Sequence, residues 1–140
     1  MPHVVAEPSL GVDRTFLVFL FDAYEYDAKR ENIVLHLNPK LAPIKVAVSP
    51  LLSNKDELVN MANQVYNKLK AEFACYFDAK DSIGRRYSRQ DEAGTFLCCT
   101  VDFQSLEDKT VTLRHRDTTK QIRVKISDLI SVIDRAMKGE

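Results

Sequence analysis

Short apolar runs alternate along this chain with helical apolar stripes, and that alternation is the feature that most limits its fold. Residues 44–49 read as a buried strand ended by Pro50. Leu58, Met61, Ala62, Val65, Tyr66, Leu69 and Phe73 then recur near a 3.6-residue spacing, which makes one helical face apolar. Asn54 stands three residues before Glu57, in capping-box spacing for the start of that helix. Residues 74–77 read as the next strand, and residues 82–93 as a short polar helix stopped by Gly94. Residues 95–101 and 110–114 read as further strands, joined through an acidic turn at Glu107 and Asp108. Ser127 is placed to cap a last amphipathic helix carrying Leu129, Ile130, Ile133 and Met137. Tyr66 and Tyr76 both read as core. Strands that alternate with helices imply parallel crossovers, whereas the tight link between the last two strands implies an antiparallel pair. The expected architecture is α/β: a three-layer domain with a mixed four- or five-stranded sheet.

The first 30 residues are patterned differently. Val4, Val5 and Ala6 read as a short buried strand, and residues 11–24 as a helix. In that helix Phe16, Leu17, Val18, Phe19, Leu20 and Phe21 leave no polar face. A helix that is apolar all round must be covered on every side, and one strand cannot cover it. The expectation is that residues 1–30 are the C-terminal remnant of a larger domain, and that residues 31–140 form a second, self-sufficient one. The polar stretch 24–32 reads as a linker, residues 33–37 as a short strand, and Pro39 and Pro43 bracket the passage between units. The apolar run is far shorter than the roughly 20 residues a membrane span needs, so no membrane contact is expected.

Twenty acidic residues balance twenty basic ones, so net charge points to no polyanionic partner. Their distribution says more. Lys109, Arg114, Arg116, Lys120, Arg123 and Lys125 are interrupted by one acid, Asp117. Such a stripe reads either as a phosphate-facing surface or as an ordinary solvated face. Cys75, Cys98 and Cys99 form no CxxC pair, and an odd count without framework spacing fits unpaired thiols in a reducing compartment. His3, His36 and His115 supply no zinc-site spacing, and no metal site is expected. The N-terminus lacks the basic segment, apolar run and cleavage site of a secretory signal, and a cytoplasmic location is expected.

Four ordered segments resemble one family. Glu7-Pro8-Ser9-Leu10-Gly11-Val12-Asp13-Arg14 is similar to motif 3 of class II aminoacyl-tRNA synthetases, and its Glu-Pro-Ser opening resembles the glycyl enzymes. Residues 41–48 resemble the entry into their anticodon-binding domain. Residues 81–92, with Arg85, Arg86 and Arg89, and residues 110–118, with Arg114, Arg116 and Asp117, resemble its later segments. Together the matches run from residue 4 to residue 133. Two departures concern turns: Asp81 stands where relatives usually have glycine, and Gly94-Thr95-Phe96 lacks the proline that often follows. Motifs 1 and 2 of the family lie upstream of the segments matched here.

The resemblance implies a part of a glycine–tRNA ligase, an enzyme that activates glycine with ATP and Mg2+ and then charges tRNA(Gly). The implied parent is a homodimer, with no DNA partner. This portion alone is expected to be inactive and to hold no cofactor, and no catalytic residue is assigned to it. Arg14 inherits an ATP γ-phosphate contact, a task suited to a guanidinium that is always charged and forks onto two oxygens. Glu7, Pro8 and Ser9 inherit the glycine site, where a carboxylate and a hydroxyl can accept from the substrate ammonium. Base contacts at the anticodon fall chiefly to Arg85 and Arg116, with Arg89, Arg114 and Asp117 secondary; unstacked bases offer both edges and faces to such groups. Tyr87 reads as core rather than as a stacking platform. The alternative is a free-standing anticodon-domain homologue acting as an RNA-binding or accessory subunit, for which Arg14 and residues 7–9 would have no use. A flavodoxin-like signalling domain fits the alternation but lacks a phosphate-binding glycine loop or an acidic pocket.

Overall fold

A computed structural model describes residues 6 and 8–139. The strand expected at residues 4–6 and the expected glycine ligand Glu7 lie outside the described residues, apart from Ala6, which is exposed. Helix α1 (Val12–Ala23) runs directly into strand β1 (Tyr24–Asp27), which pairs antiparallel with β2 (Asn32–Leu35). The stretch expected as a linker is therefore one arm of a hairpin. Its turn is closed by Asp27, whose carboxylate accepts from the Lys29 and Arg30 amides at 2.8 and 3.2 Å, and by Glu31 in a left-handed conformation.

The remaining strands are β3 (Val46–Pro50), β4 (Cys75–Phe77), β5 (Leu97–Val101), β6 (Thr110–His115) and β7 (Gln121–Lys125). They form one sheet in the order β4-β3-β5-β6-β7. β3 is parallel to both β4 and β5, whereas β5–β6 and β6–β7 are antiparallel. Helices α2 (Asp56–Lys70) and α3 (Ile83–Glu92) make the two parallel crossovers, α4 (Phe103–Asp108) lies between β5 and β6, and α5 (Leu129–Lys138) closes the chain.

Alternation along the strands sorts side chains to two faces. Val46, Val48, Leu97, Cys99, Val101, Val111 and Leu113 bury one face against Leu58, Met61, Ala62, Val65 and Leu69 of α2 and Leu129 and Ile133 of α5. The opposite face carries smaller and polar residues, Ala47, Ser49, Cys98, Thr100 and Arg114, and receives α3. The three expected layers are thus α2 with α4 and α5, the sheet, and α3 with the hairpin.

Several local expectations are corrected. Lys55, not Asn54, is the N-cap of α2, and no side chain caps it. Asp128 takes the N-cap position of α5, and Ser127 instead donates to the Asp128 carboxylate at 2.7 Å. The supposed acidic turn is the end of α4, which opens on a reciprocal capping box between Asp102 and Ser105 and ends on Lys109 at φ 56°. Tyr76 is not core: β4 is a sheet edge, and this side chain is 44% exposed. α1 exposes Phe16, Leu17, Val18, Phe19 and Phe21, and only its last residue, Ala23, is buried. Among the described residues it is covered only in part, against β2 where Leu20 is half-buried, and none of their helices is long and apolar enough to cross a membrane.

Candidate nucleic-acid interface

The expected site residues separate into two clusters at opposite ends of α3, with a third group on α1. α3 starts beside the carboxyl ends of β3 and β4, where the Asp78 amide donates to the Val48 carbonyl at 3.0 Å. It ends beside the start of β5, next to Arg114 on β6.

The loops leaving β3 and β4 diverge to opposite faces of the sheet, since α2 and α3 lie on different sides. The carboxyl ends of adjacent parallel strands whose loops diverge are a usual place for ligands. Asp81, in the loop after β4, stands at φ 64°, which explains why glycine suits that position. Arg86, 1% exposed, is spent on structure: it donates to the carbonyls of Ala79, Lys80, Asp81 and Pro50 and so ties the loop to the end of β3. Arg89 lies along Asp78, with 3.0 and 3.1 Å bonds to Oδ2, and reaches Asp81 Oδ2 at 3.1 Å. These contacts raise the Arg89 pKa, chiefly through the bonds to Asp81 and Asp78. Arg85 differs from both. Its side chain is 78% exposed, and its nearest acid, Asp81, is 4.0 Å away.

At the other end, Asp91 is buried and accepts both Nη atoms of Arg114, at 2.8 and 2.9 Å. Burial opposes the Arg114 charge, but the bonds and charge of Asp91 more than offset it, and the pKa is raised. The same guanidinium lies 4.8 Å from the Tyr87 ring, whose hydroxyl meets Thr100 Oγ1 at 2.8 Å. Tyr87, expected as core, is half-buried and packs on Arg114 outside the apolar core. Arg116, expected to present its fork to a base, is 2% exposed. It donates to the carbonyls of Gly94 and Leu37, both at 2.9 Å, and to both oxygens of Asp117, at 2.7 and 3.1 Å. Its role in this structure is to orient Asp117, which remains half-exposed. Burial alone would raise the Asp117 carboxyl, yet Arg116 and His36 bring it below its ordinary value.

The hairpin completes this second cluster, a contribution that no local residue pattern reveals. Arg30 donates to the carbonyls of Arg116 and Asp117 at 2.9 and 3.0 Å and meets Asp91 Oδ2 at 3.3 Å. His36 Nδ1 lies 2.6 Å from Asp117 Oδ1, and its Nε2 lies 3.1 Å from Glu25 of β1. The expected basic stripe does not form one face. Arg114 and Arg116 are buried, and Arg123 is held by Asp102. Lys109, Lys120 and Lys125 are left at the surface.

At the start of α1, Arg14 and Thr15 line one shallow hollow with Ser9 and Gly11 of the preceding segment, and Pro8 is exposed nearby. An exposed guanidinium beside a hydroxyl has the donor chemistry that a phosphate needs. No group of three or more His, Cys, Asp or Glu among the described residues is arranged to hold a metal.

Nearly all of the chain is similar to curated glycine–tRNA ligases. The protein of Rhodopirellula baltica is 52% identical over 99% of this chain, that of Clostridium acetobutylicum 48% over 99%, and that of Borrelia hermsii 48% over 95%. The chain spans only 27–30% of the length of these relatives. Residues 45–136 match the family described as anticodon binding domain, which takes in the whole five-stranded sheet and four of the five helices. This chain belongs to the anticodon binding domain family.

Proposed function

We propose that this chain is the anticodon-reading portion of a glycine–tRNA ligase, and that α1 carries motif 3 of that enzyme's ATP site. One observation supports the placement of RNA contacts: Arg85 is exposed beside the carboxyl ends of β3 and β4 with only a 4.0 Å ion pair to Asp81, while its neighbours Arg86 and Arg89 are held by carbonyls and carboxylates. A guanidinium in that position can pair with the edge of an unstacked base or stack on its face. Asp117 is the second contact, an oriented carboxylate that accepts from exocyclic amino groups. Arg89 can turn toward phosphate from its half-exposed position. Arg114 and Arg116 act one step back, as supports. Lys120, exposed in the turn between β6 and β7, meets backbone phosphate.

The wider reading rests on the relatives and on α1. Glycine and ATP with Mg2+ are the substrates of the whole protein, tRNA(Gly) is its partner, and its setting is the cytoplasm as a homodimer. Glu7, Pro8 and Ser9 face glycine, and Arg14 holds ATP phosphate in that protein. The apolar face of α1 is covered there by the rest of the catalytic domain. The chain by itself holds no cofactor.

The test is binding of the chain to an anticodon stem-loop of tRNA(Gly), against stem-loops altered at the second or third anticodon base. Arg85→Ala is expected to reduce discrimination at one base by roughly 1–3 kcal/mol, the scale of a bidentate base contact. Lys120→Ala is expected to weaken all the RNAs alike and to flatten the salt dependence. Equal loss for every RNA with Arg85→Ala would make it a phosphate contact. Binding without any preference by the unmodified chain would favour a general RNA-binding module.

A further inference from the structure

Outside the family match, residues 24–37 make a set of polar contacts that the anticodon fold does not require of itself. Arg30 sits in the hairpin turn, held there by a 2.9 Å ion pair with Asp27. From that position its fork spans two consecutive backbone carbonyls, Arg116 and Asp117, at 2.9 and 3.0 Å. His36 takes the Asp117 carboxylate from the other side at 2.6 Å, and the Leu37 carbonyl takes Arg116 at 2.9 Å. Asn32 adds a 3.1 Å bond to the Ser88 carbonyl on α3. Every one of these groups acts on α3 or on the turn after β6. That turn is closed by the His115 amide on the Lys120 carbonyl at 3.0 Å and the Thr119 amide on the His115 carbonyl at 2.9 Å, and Thr119 within it is left-handed at φ 57°.

The geometry points to Arg30 and His36 as positioning residues for Asp117, so that the hairpin sets the specificity of the base contact made at that turn. This inference rests on the proposed anticodon reading and deepens it. Arg116 fixes the Asp117 carboxylate in one plane through two bonds. Those two bonds leave the backbone to other groups: the Asp117 amide donates to His115 Nδ1 at 3.2 Å, and Arg30 holds the carbonyls of Arg116 and Asp117. His36 and Arg116 Nε together fill the acceptor sites of Oδ1, and Arg116 Nη2 takes one on Oδ2, which leaves one Oδ2 lone pair for a ligand donor. A lysine cannot replace Arg30, because one ammonium lacks the fork that reaches two successive carbonyls and an acid at once. Removing the clamp leaves Asp117 in place chemically but free in direction, and loss of direction is read as lost discrimination rather than lost affinity.

The experiment uses the whole chain with matched and base-altered anticodon stem-loops, read by fluorescence anisotropy, alongside thermal unfolding of each protein. Arg30→Lys and His36→Ala are each expected to cut the preference for the matched RNA by about 5- to 100-fold, the range spanned by one oriented base contact. Both are expected to keep nonspecific affinity within about twofold, since Lys keeps the positive charge and His36 faces Asp117 rather than the solvent-exposed lysines. His36→Asn retains a side-chain N–H that can donate to Asp117 and is expected to restore part of the preference. A preference unchanged in Arg30→Lys and His36→Ala, with only a lower unfolding temperature, would reduce the clamp to scaffolding and overturn the inference. If Asp117→Asn also leaves the preference intact, the base contact itself is elsewhere, and the inference falls with it. No preference in the unmodified chain would instead refute the anticodon reading on which both stand.

Discussion

Asp91→Ala is the most demanding test of the buried network. Asp91 and Arg114 have side chains 3% and 7% exposed and share two hydrogen bonds of 2.8 and 2.9 Å. Deleting the carboxylate leaves a desolvated guanidinium whose remaining partner is the Tyr87 ring, and Arg30 also loses its 3.3 Å contact. Breaking one side of a buried pair costs about 3–5 kcal/mol. Counting three charge-assisted bonds separately would give more, but such bonds share partners and do not add. With an unfolding entropy near 2.1 cal/mol/K per residue, 4 kcal/mol over a chain of this length lowers the melting temperature by roughly 13 °C. Urea denaturation followed by circular dichroism reads the same loss as a lower midpoint at constant slope. The partner experiment removes both charges. Asp91→Leu with Arg114→Met should recover to within about 1.5 kcal/mol of the parent, because apolar replacement of a buried pair is often neutral or better. A loss below about 1 kcal/mol in Asp91→Ala would mean that the pair is hydrated, contrary to its burial. A double variant as unstable as the single one would assign the loss to packing and to Arg30.

Two further outcomes concern stability. Gly94→Ala forces a side chain onto φ 71°, with its Cβ 2.7 Å from Leu37 Cδ1 and 3.3 Å from Leu35 Cβ; a loss of about 2–3 kcal/mol is expected in urea denaturation, and a neutral result would show that the hairpin yields easily. Stability should also fall in acid. Burial works against ionisation of Asp117 and Asp102, but Arg116 with His36 and Arg123 with Ser105 hold both below the ordinary value of 3.8. Such depressed carboxyls stabilise the fold fully above their unfolded pKa and lose that contribution as pH falls from there through the folded values. Asp117→Asn should flatten the decline of melting temperature below pH of about 4, and an identical acid profile would remove Asp117 from the account.

Much of the fold was legible because its core obeys simple periods. The α2 stripe and the apolar strands β3 and β5 announced their partners through spacing alone. β7 was missed although Gln121, Ile122, Arg123, Val124 and Lys125 alternate as a strand should, because the basic residues drew a surface reading. α4 was missed because six residues ending in two acids resemble a turn, even though Asp102 and Ser105 stood in capping spacing. The arginines show a harder limit. Arg85, Arg86 and Arg89 are neighbours in sequence, yet one is exposed with a single 4.0 Å ion pair, one is buried among carbonyls and one is held closely by acids. Nothing local distinguishes them, since the acids and carbonyls that decide come from Pro50, Asp78 and Asp81 after folding. Arg116 misled for the same reason, its acceptors lying at Gly94 and Leu37. The boundary expected after residue 30 also divides β1 from β2, which pair across it over four residue pairs.

The direct passage from α1 into β1 makes the helix a lever. It is pinned where it meets the hairpin, by burial of Ala23 and a 2.7 Å bond from the His36 amide to the Ala23 carbonyl, and nowhere along its outer length does it have another buried residue. Arg14 sits ten residues beyond Tyr24 on that arm, roughly 15 Å at the helical rise. A tilt of about 5° at the hairpin would carry Arg14 through roughly 1.3 Å, enough to matter to any group whose work depends on alignment. The hairpin is thus a fulcrum, with the turn at Asp117 on its short side and Arg14 on its long one.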